Sequence, residues 1–431
     1  MDKVRELALK SLYKIEENGA YSNLVLDDTI KRNNNLESRD IGLISELIYG
    51  VTTWKLTLDE IIKKYSKIKL KKISPWILNI LRMGIYQIIF LDKVPKSAAV
   101  NESVNLAKKY GNIGSVKFTN AVLRKVKKSD YDELNNIKDP KERISKVTSM
   151  PLWLVEKLVE EKGEEKAEEI CKASNLRPEL TIRINTLKTS KEEFIKKLDL
   201  LQIKYEQTDF ESFIILKNVK NIENMDLFKQ GLFTVQDLSA GLAASTLNPK
   251  PGDNVLDCCS APGGKTTFLA ELMENKGNIE AWDIHEHRVK LVEENSKRLG
   301  IDIIRTKVKD ATAFDEKLIE KFDKILLDVP CLGIGVIKRK PDIKWQRKIE
   351  DIEQIANLQQ KILQTCSKYL KPKGEIVYST CSILREENEN IINTFLESNS
   401  DFSFWDKTNN FININTSKNN DGFFICKLIK K

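Results

Sequence analysis

The stretch from Val255 to Thr267, VLDCCSAPGGKTT, decides the fold class of this chain. Its apolar start is typical of a buried strand, its Pro-Gly-Gly centre of a tight turn, and its Lys-Thr-Thr end of a helix. Glycine lets a ligand approach the backbone closely, and the first turn of a helix offers free N–H groups to an anion. The spacing before Gly-Lys-Thr excludes a Walker A loop, and the lack of GxGxxG disfavours a nicotinamide cofactor. A tight turn without any ligand is the alternative at this point.

Strand and helix patterns alternate from this turn to the end of the sequence. Strands are expected at 254–258, 278–283, 303–308, 322–328, 374–379 and 422–429. Helices are expected at 265–274, 286–299, 350–369 and 386–398. This alternation predicts a doubly wound, mostly parallel α/β sheet with helices on both faces. Such a sheet binds its ligands beyond the carboxyl ends of its strands.

The sequence before this domain divides into two further regions. Residues 1–140 show helical spacing of apolar residues and no strand pattern, which predicts an all-α domain. Residues 145–235 combine helices with two short strands, at 180–185 and 212–216, and are expected to form a small α+β connector. The connector is expected either to bind RNA or to brace the α/β domain, which takes residues 236–431.

Positive charge is concentrated at the front of the chain. The whole sequence has 71 Lys/Arg and 63 Asp/Glu, for a formal charge of +8. Residues 1–150 hold 28 Lys/Arg against 18 Asp/Glu, whereas residues 151–431 hold 43 against 45. This asymmetry, together with the lysine-rich run at 63–72, favours an appended nucleic-acid-binding module. Lysines that merely solvate the surface of helices are the alternative.

The composition and the hydropathy pattern exclude several classes of protein. The N-terminus, MDKVRELALK, lacks the apolar core of a signal peptide, and the longest apolar stretch, 77–91, is too short and too polar to span a bilayer. We therefore expect a cytoplasmic protein with no membrane partner, and we expect a monomer. Seven cysteines and two histidines show neither a disulfide framework nor a zinc pattern, so no metal is expected.

Two aspartates follow the next predicted strands, where an adenosyl ligand would lie. Asp283 ends the second strand, where an acidic residue can accept hydrogen bonds from ribose hydroxyls. Asp310 follows the third strand and is a candidate contact for adenine. S-adenosylmethionine fits this order better than ATP, because the sequence shows no phosphate-gripping motif and no clear magnesium site. A strand-ending aspartate that only caps the following helix is the alternative.

Two cysteines follow the fourth and fifth predicted strands. Cys331 closes the sequence DVPC, and Cys381 lies within YSTCS. Because neighbouring parallel strands end at the same edge of a sheet, we expect the two thiols close together beside the cofactor turn. Structural cysteines in the core, or a redox disulfide, are the alternatives.

These motifs resemble those of the RNA cytosine carbon-5 methyltransferases. The resemblance rests on SAPGGK, on DVPC followed by RKPDIKW, and on YSTCS followed by EENE. The front of the chain is similar to the NusB-type RNA-binding domain, in ISELIYGV (44–51), LRMGIYQIIFLDKVP (81–95), AVNESVNLAKKYG (99–111) and FTNAVLRKV (118–126). The resemblance implies a Rossmann-like class I methyltransferase domain, with S-adenosyl-L-methionine as the methyl donor and rRNA as the partner.

The resemblance also assigns roles to individual residues. Carbon 5 of cytosine is a poor nucleophile until a thiolate adds to carbon 6, so covalent catalysis is expected. Cys381 is implied as the nucleophile and Cys331 as the thiol that assists product release. Asp328 would contact the cytosine, and Lys265 would order the site. The implied cofactor-binding residues are Cys259, Ser260, Ala261, Pro262, Gly263, Gly264, Lys265, Asp283, Asp310 and Asp328. The implied RNA contacts are Lys338, Arg339, Lys344 and Trp345.

Three residues depart from the family pattern. Val329 replaces the usual alanine of DAPC, and Leu332 and Ile334 replace a serine and a threonine. We expect Val329 only to repack the turn. The two lost hydroxyls place a hydrogen-bonding role beside Cys331 in doubt.

The motifs alone leave the choice of substrate open. The target cytosine must be unpaired or flipped out, because carbon 6 cannot be reached by a thiol inside a base-paired helix. The combination with a NusB-like domain implies 16S rRNA, at cytosine 967 in standard rRNA numbering. The same chemistry on tRNA or on another rRNA cytosine is the first alternative. A NusB-like RNA-binding or assembly factor with an inactive methyltransferase domain is the second.

Overall fold

The chain forms two compact units. The structure is a computed structural model that describes residues 2–33, 35–219, 221–406, 408 and 410–431. The helical unit comprises the residues up to Asn175 together with Ile337–Ile349. The sheet unit comprises Leu176–Val336 and Glu350–Lys431.

A buried helix lies at the centre of the helical unit. The helices are α1 (Lys3–Asn18), α2 (Ser22–Lys31), α3 (Ser38–Tyr65), α4 (Pro75–Phe90), α5 (Lys96–Tyr110), α6 (Ile113–Lys125), α7 (Ser129–Asp132), α8 (Pro140–Thr148), α9 (Leu152–Lys162) and α10 (Glu164–Ala173). Helix α4 begins where the Ser74 side chain accepts a hydrogen bond from the Ile77 amide and Pro75 takes the first helical position. Every residue of α4 from Ile77 to Ile88 is buried, and α1, α3, α5 and α6 pack against it.

Helices α8, α9 and α10 belong to the helical unit rather than to the connector. They pack against one another, and α8 also contacts α3. Ser149, which follows α8, accepts a hydrogen bond from the Leu56 amide of α3 at 2.9 Å. The sequence placed the division near residue 145, whereas the structure places it after Asn175. The reason is that an amphipathic helix shows which face is apolar but not which neighbour will cover it.

A four-stranded antiparallel sheet begins the sheet unit. Its elements are β1 (Leu180–Ile184), α11 (Lys191–Leu200), β2 (Tyr205–Gln207), β3 (Phe213–Leu216), α12 (Asp226–Lys229) and β4 (Phe233–Val235). The strand order is β2-β3-β1-β4. Ile182 of β1 pairs with Ile214 on one side and Val235 on the other, so β1 is a central strand. Ser190 and Glu193 form a capping box at the start of α11.

A larger, mostly parallel sheet forms the rest of the unit. Its strands are β5 (Asn254–Asp257), β6 (Asn278–Asp283), β7 (Ile304–Val308), β8 (Phe322–Asp328), β9 (Leu370–Thr380), β10 (Phe402–Phe404), β11 (Ile412–Ile414) and β12 (Phe423–Lys430). The intervening helices are α13 (Leu238–Leu247), α14 (Gly264–Leu272), α15 (Glu286–Leu299), α17 (Asp351–Cys366) and α18 (Glu389–Ser398), while α16 (Ile343–Gln346) lies in the helical unit. The order is β10-β12-β9-β8-β5-β6-β7, with β11 beside β12. Strands β5 to β9 pair in parallel, whereas β12 pairs antiparallel with β9, β10 and β11. This arrangement confirms the predicted doubly wound, mostly parallel α/β class.

The strand order changes direction between β5 and β8. Strands β6 and β7 continue from one side of β5, and the chain then returns to place β8 and β9 on the other side. Helices leave the two neighbouring strands on opposite faces at such a point, so a crevice opens beyond their carboxyl ends. Asp257 ends β5 and Asp328 ends β8. The site is therefore expected around these two carboxylates.

Candidate active site

The structure brings the two predicted thiols together. Cys331 follows β8 and Cys381 follows β9, and the two strands pair in parallel up to Asp328 and Ser379. The Cys331 and Cys381 Sγ atoms are 2.9 Å apart, and both side chains are partly exposed. The contact with Cys381, followed by burial, raises the pKa of the Cys331 thiol well above its usual range. Cys331 is therefore protonated at neutral pH while Cys381 lies beside it.

A lysine–aspartate pair lies at the same edge of the sheet. Lys265 Nζ donates to Asp328 Oδ2 at 2.7 Å, and Ser379 Oγ donates to Asp328 Oδ1 at 3.0 Å. Burial lowers the pKa of Lys265, but the Asp328 carboxylate and the nearby Cys381 outweigh it and leave that pKa raised. Lys265 therefore remains an ammonium at this edge of the sheet.

Glu387 connects the loops that carry the two cysteines through hydrogen bonds. The sequence did not predict a role for this residue. Its carboxylate accepts a hydrogen bond from the Leu332 amide at 2.8 Å, next to Cys331. The Ser382 hydroxyl, next to Cys381, donates to the other carboxylate oxygen. Glu387 is fully buried, so these contacts are shielded from water. The EENE motif was the available signal, but it does not show which carboxylate faces inward.

A second polar contact fixes the backbone around Cys381. Asn388 Oδ1 accepts from the Thr380 hydroxyl at 2.6 Å, and its amide donates to the Ser382 carbonyl at 3.1 Å. The Gly335 amide donates to the Cys381 carbonyl at 2.9 Å. A Cβ atom at Gly335 would lie 2.0 Å from the Gly422 carbonyl oxygen, so only glycine fits there. The nucleophile candidate is held on both sides.

The glycine-rich turn forms the opposite wall of the site. The Ser260 amide donates to the Trp282 carbonyl at 2.8 Å, and the Gly263 amide donates to the Ser260 carbonyl at 2.8 Å. Gly263 has a φ of 100°, and a Cβ atom there would lie 3.2 Å from Val292 Cα. A side chain at this position would be strained, which explains the glycine. Helix α14 begins directly after the turn and directs its free amides towards the crevice.

Unsatisfied polar atoms beside this turn fit a bound ligand. Asp257 Oδ1 and Gln236 Nε2 are buried and have no hydrogen-bond partner among the described residues. Burial raises the pKa of Asp257 to about 7, although its other oxygen accepts from the Thr266 hydroxyl at 2.7 Å. A Cβ atom added to Gly264 would approach Gln236 Nε2 no closer than 3.8 Å, so space is open at the helix start. These residues fit an adenosyl ligand with polar groups.

The two aspartates predicted to hold the adenosine lie at the expected strand ends but in different surroundings. Asp283 is buried, accepts from the His285 amide at 3.0 Å and pairs with Arg288 at 3.1 Å. Arg288 also donates to the Ala261 carbonyl at 2.9 Å, which links Asp283 to the glycine-rich turn. Asp310 is exposed and accepts from the amide and hydroxyl of Thr312, both at 2.8 Å. It thus caps its own turn, and a contact with the cofactor stays a prediction.

Other members of the predicted cofactor set line the same turn. Cys259 is partly exposed, and burial raises the pKa of its thiol well above the usual range. The bond between Ala261 and Pro262 is cis. The Pro262 carbonyl accepts from the Asn295 side chain at 3.0 Å. The turn from Cys259 to Gly264 is thus one continuous wall of the crevice.

The predicted RNA contacts in the RKPDIKW motif are not arranged as an exposed loop. Lys344 is 2% exposed, and its ammonium donates to the Thr53 and Ser149 carbonyls, both at 3.1 Å, and to Asn175 Oδ1 at 2.6 Å. The Trp345 indole N–H donates to the Thr52 carbonyl at 2.7 Å. These hydrogen bonds enclose the Lys344 ammonium within the helical unit, so the predicted RNA contact of Lys344 is corrected to a structural role. Trp345 is partly exposed, and its RNA contact stays a prediction.

The remaining two residues of that set lie earlier in the segment. Lys338 is buried and Arg339 is partly exposed, and both have interactions with other protein groups. An RNA contact for Lys338 and Arg339 stays a prediction. The motif's cations suggested phosphate binding, but composition cannot separate a cation that faces RNA from one that fastens its own loop.

The three departures from the family pattern lie in the interior. Val329, Leu332 and Ile334 are each 3% exposed or less. The Val329 amide donates to the Ser379 carbonyl at 3.1 Å and so continues the pairing of β8 with β9. The apolar side chains at 332 and 334 fill space in the core beside Cys331, where no water would reach a hydroxyl.

Within the described part of the chain, no group of three or more His, Cys, Asp or Glu residues is arranged to hold a metal ion. No described helix combines the length and the apolar character needed to cross a membrane.

Comparisons with known proteins agree with this architecture. A doubly wound sheet with a glycine-rich turn at its switch point is typical of domains that bind nucleotide-like ligands, and the comparisons identify the class as a Rossmann-like methyltransferase with a NusB-type domain. Three family models match: "NusB family" at 2–128, "Methyltr_RsmF/B-like, ferredoxin-like domain" at 150–223, and "16S rRNA methyltransferase RsmB/F" at 244–429.

Individual relatives cover the whole chain. The probable ribosomal RNA small subunit methyltransferase B of Bacillus subtilis is 38% identical over 99% of both chains. The crystal structure titled PH0851 has a TM-score of 0.81 and 27% identity, with 98% of each chain covered. The NSun6 structure from Pyrococcus horikoshii with SFG, an analogue of S-adenosylmethionine, has a TM-score of 0.57 and 25% identity over 65% of this chain and 98% of that one. This chain belongs to the RsmB/F family of 16S rRNA methyltransferases, which confirms the resemblance and the fold class.

Proposed function

We propose that this protein transfers a methyl group from S-adenosyl-L-methionine to carbon 5 of a cytosine in 16S rRNA. The observation that carries the proposal is the pair of sulfur atoms, 2.9 Å apart, beside the Lys265–Asp328 pair. Methyl transfer to a nitrogen or an oxygen needs no thiol, whereas transfer to carbon 5 of a pyrimidine needs a nucleophile at carbon 6. The names of the family and of its relatives support rRNA as the substrate.

The proposed reaction begins with Cys381. Its thiolate adds to carbon 6 of the cytosine, and the electron pair of the ring double bond becomes available at carbon 5. Asp328 contacts the N3 and amino edge of the base and favours the protonated adduct, while Lys265 holds Asp328 in place. S-adenosylmethionine, when bound, supplies an electrophilic methyl group to carbon 5.

Cys331 is proposed to release the product. The neighbouring Cys381 raises the pKa of Cys331, so Cys331 is a neutral thiol while Cys381 is still free. Once Cys381 is bonded to carbon 6, it no longer makes the same thiol–thiol hydrogen bond, and the main cause of that raised pKa is removed. Cys331 then loses its own proton to solvent, and the resulting thiolate accepts the proton from carbon 5 as elimination expels the Cys381 thiolate.

The proposed target is an unpaired or flipped-out cytosine, at position 967 in standard rRNA numbering. A thiolate cannot reach carbon 6 in a stacked base pair. The NusB-type domain, with its excess of positive charge, is proposed to bind the surrounding rRNA. The protein is proposed to act as a monomer.

The direct test is methylation in vitro. The wild-type protein is incubated with labelled S-adenosylmethionine and either protein-free 16S rRNA or total tRNA, and 5-methylcytosine is mapped by bisulfite sequencing. We expect one new 5-methylcytosine in 16S rRNA and none in tRNA, and no transfer by Cys381→Ala. Methylation of tRNA alone would overturn the substrate, and label on a nitrogen would overturn the chemistry.

A further inference from the structure

Arg183 is a fully enclosed cation of the sheet unit, and the proposed chemistry makes no use of it. It lies on the central strand β1, and its side chain is 0% exposed. Its partners are Glu271, Gln236, Gly264 and Thr267, all beyond its own sheet. A guanidinium has five N–H donors in a fixed plane, and here each of the five has an acceptor.

Most of these acceptors lie on one face of helix α14. Arg183 donates to the Gly264 carbonyl at 2.8 Å, to Thr267 Oγ1 at 3.0 Å, and to the two oxygens of Glu271 at 3.0 and 2.9 Å. Residues three, four and seven positions apart share a helix face, so the guanidinium lies along the first two turns. The Phe268 ring lies 4.7 Å from the guanidinium carbon and covers it from the side.

The Arg183–Glu271 ion pair is an expensive way to stabilise a helix. Removing both charges from water costs roughly as much free energy as their attraction returns. Burial raises the pKa of Glu271 in spite of the arginine beside it, which shows the same cost. What a planar five-donor group supplies instead is geometry, because it fixes the translation and the rotation of the helix that it binds.

We propose that Arg183 is a positioning residue for cofactor binding, which it controls by fixing the start of α14. The Gly264 carbonyl that it binds lies between the glycine-rich turn and Lys265, whose ammonium pairs with Asp328. A helix shifted at its first turn moves both the turn that faces the adenosyl group and the ammonium beside the thiols. The inference rests on the proposed use of S-adenosylmethionine.

Asn185, two residues further along, provides a matched control. Its side-chain amide donates to the Gly231 and Leu299 carbonyls, both at 2.9 Å. It is also fully buried and also joins the small sheet to the large one, at the end of α15 rather than at α14. Loss of its hydrogen bonds destabilises the same unit without touching the cofactor turn.

The test compares three variants of the full-length protein. Arg183→Lys keeps the charge beside Glu271 but cannot reach Gly264 and Thr267 together. The double variant Arg183→Met with Glu271→Leu removes both charges at once, which preserves folding if the single variants are unstable. Asn185→Ala is the control. The dissociation constant for S-adenosylhomocysteine is measured by calorimetry, and KM is measured separately for S-adenosylmethionine and for rRNA.

We expect S-adenosylhomocysteine to bind at least tenfold more weakly to both Arg183 variants, with a parallel rise in KM for S-adenosylmethionine and less than a twofold change in KM for rRNA. Asn185→Ala should keep the cofactor affinity within twofold while its melting temperature falls. Wild-type affinity in the double variant, or an equal loss in Asn185→Ala, would overturn the inference. If the wild-type protein binds S-adenosylhomocysteine but methylates no cytosine, the proposed function fails while this inference can still be judged from binding.

Discussion

The sulfur atoms of Cys331 and Cys381 are close enough that two negative charges there would repel strongly. The contact with Cys381 keeps the Cys331 thiol protonated, and Lys265 remains an ammonium at the same edge of the sheet. In the proposed mechanism, one cysteine acts as the nucleophile and the other as a later proton acceptor. The proposal thus gives separate roles to two chemically identical side chains.

Glu387 should be required for this separation of roles. Glu387→Gln puts an amide N–H in place of an oxygen that accepts from the Leu332 amide or the Ser382 hydroxyl. We expect kcat for methyl transfer to fall by about tenfold to a hundredfold, because a misplacement of about 1 Å at a reacting group costs that much. Glu389→Gln, whose carboxylate accepts from the Asn413 amide near the surface, is the control and should keep wild-type kcat. Equal kcat values for the two variants would rule out this role.

Asp257 should make the protein less stable as the pH rises. Because burial raises its pKa to about 7 in the folded state, above the value of 3.8 for an unperturbed aspartate, the folded chain holds its proton longer. The contribution of protonated Asp257 to the free energy of unfolding is fully present below about pH 4. It is lost as the pH rises to about 7. Asp257→Asn removes this dependence.

The measurement is the free energy of unfolding against pH for the wild type, Asp257→Asn and the exposed Asp302→Asn. We expect Asp257→Asn to be more stable than the wild type at pH 8, by up to about 4 kcal/mol, with a difference that vanishes near pH 4. Asp302→Asn should follow the wild type. A difference that is constant from pH 4 to pH 8 would show that Asp257 ionises normally.

Secondary structure in the large sheet is largely readable from the sequence because its strands are buried on both faces. The strands at 278–283 and 322–328 have the predicted bounds, since each of these largely buried segments ends at an aspartate. Strand β9 begins at Leu370, four residues before the predicted start. The charged residues Lys371 and Lys373 interrupt the apolar pattern, so its first residues were not predicted as strand. The three-residue strands β10 and β11 were not predicted, since pairing with β12 rather than local pattern creates them.

The segment Ile337–Ile349 shows what local pattern cannot predict. It lies between Cys331 and α17 in the sequence, yet it packs as part of the helical unit. Asp342 accepts hydrogen bonds from the amide and the hydroxyl of Ser22, at 3.2 and 2.6 Å. Ser22 lies 320 positions away in the sequence. The sequence pattern of this charged loop predicts exposure to solvent. It does not show that carbonyl groups far away in the sequence will enclose Lys344.

Lys344 should matter for stability and not for RNA affinity. Burial lowers its pKa to about 7, and its three hydrogen bonds go to protein oxygens. Lys344→Met leaves those oxygens unsatisfied, and we expect a loss of about 2–4 kcal/mol in unfolding free energy. The salt dependence of rRNA binding should be unchanged. A fall of about 1 in the slope of log K against log[salt] would instead indicate a phosphate contact.

For the molecule as a whole, positive charge lies mostly in the helical unit, while the thiols and the cofactor turn lie in the sheet unit. We propose that the helical unit supplies affinity for rRNA and that the sheet unit supplies the chemistry. The charge asymmetry is visible in the sequence, whereas the exact boundary and the return of Ile337–Ile349 to the helical unit depend on long-range packing.

The exposed lysines at 67, 69, 71 and 72 provide a test of this division. Their replacement by glutamine should weaken rRNA binding and lower the slope of log K against log[salt] by about 3, at about 0.7–0.9 per phosphate contact. The kcat value at saturating rRNA should stay within twofold of the wild type. Replacement of Lys166 and Lys172 on the acidic helix α10 is the control and should leave the slope unchanged. An unchanged slope in the first variant would place the rRNA elsewhere.

The covalent adduct tests the central claim most directly. Cys331→Ala, Cys381→Ala and the double variant are each incubated with S-adenosylmethionine and labelled 16S rRNA, and the products are separated on a denaturing gel. We predict that Cys331→Ala accumulates protein bonded to RNA, that Cys381→Ala forms neither adduct nor product, and that the double variant forms no adduct. A Cys331→Ala variant that turns over normally without an adduct, or an adduct that persists without Cys381, would contradict the account.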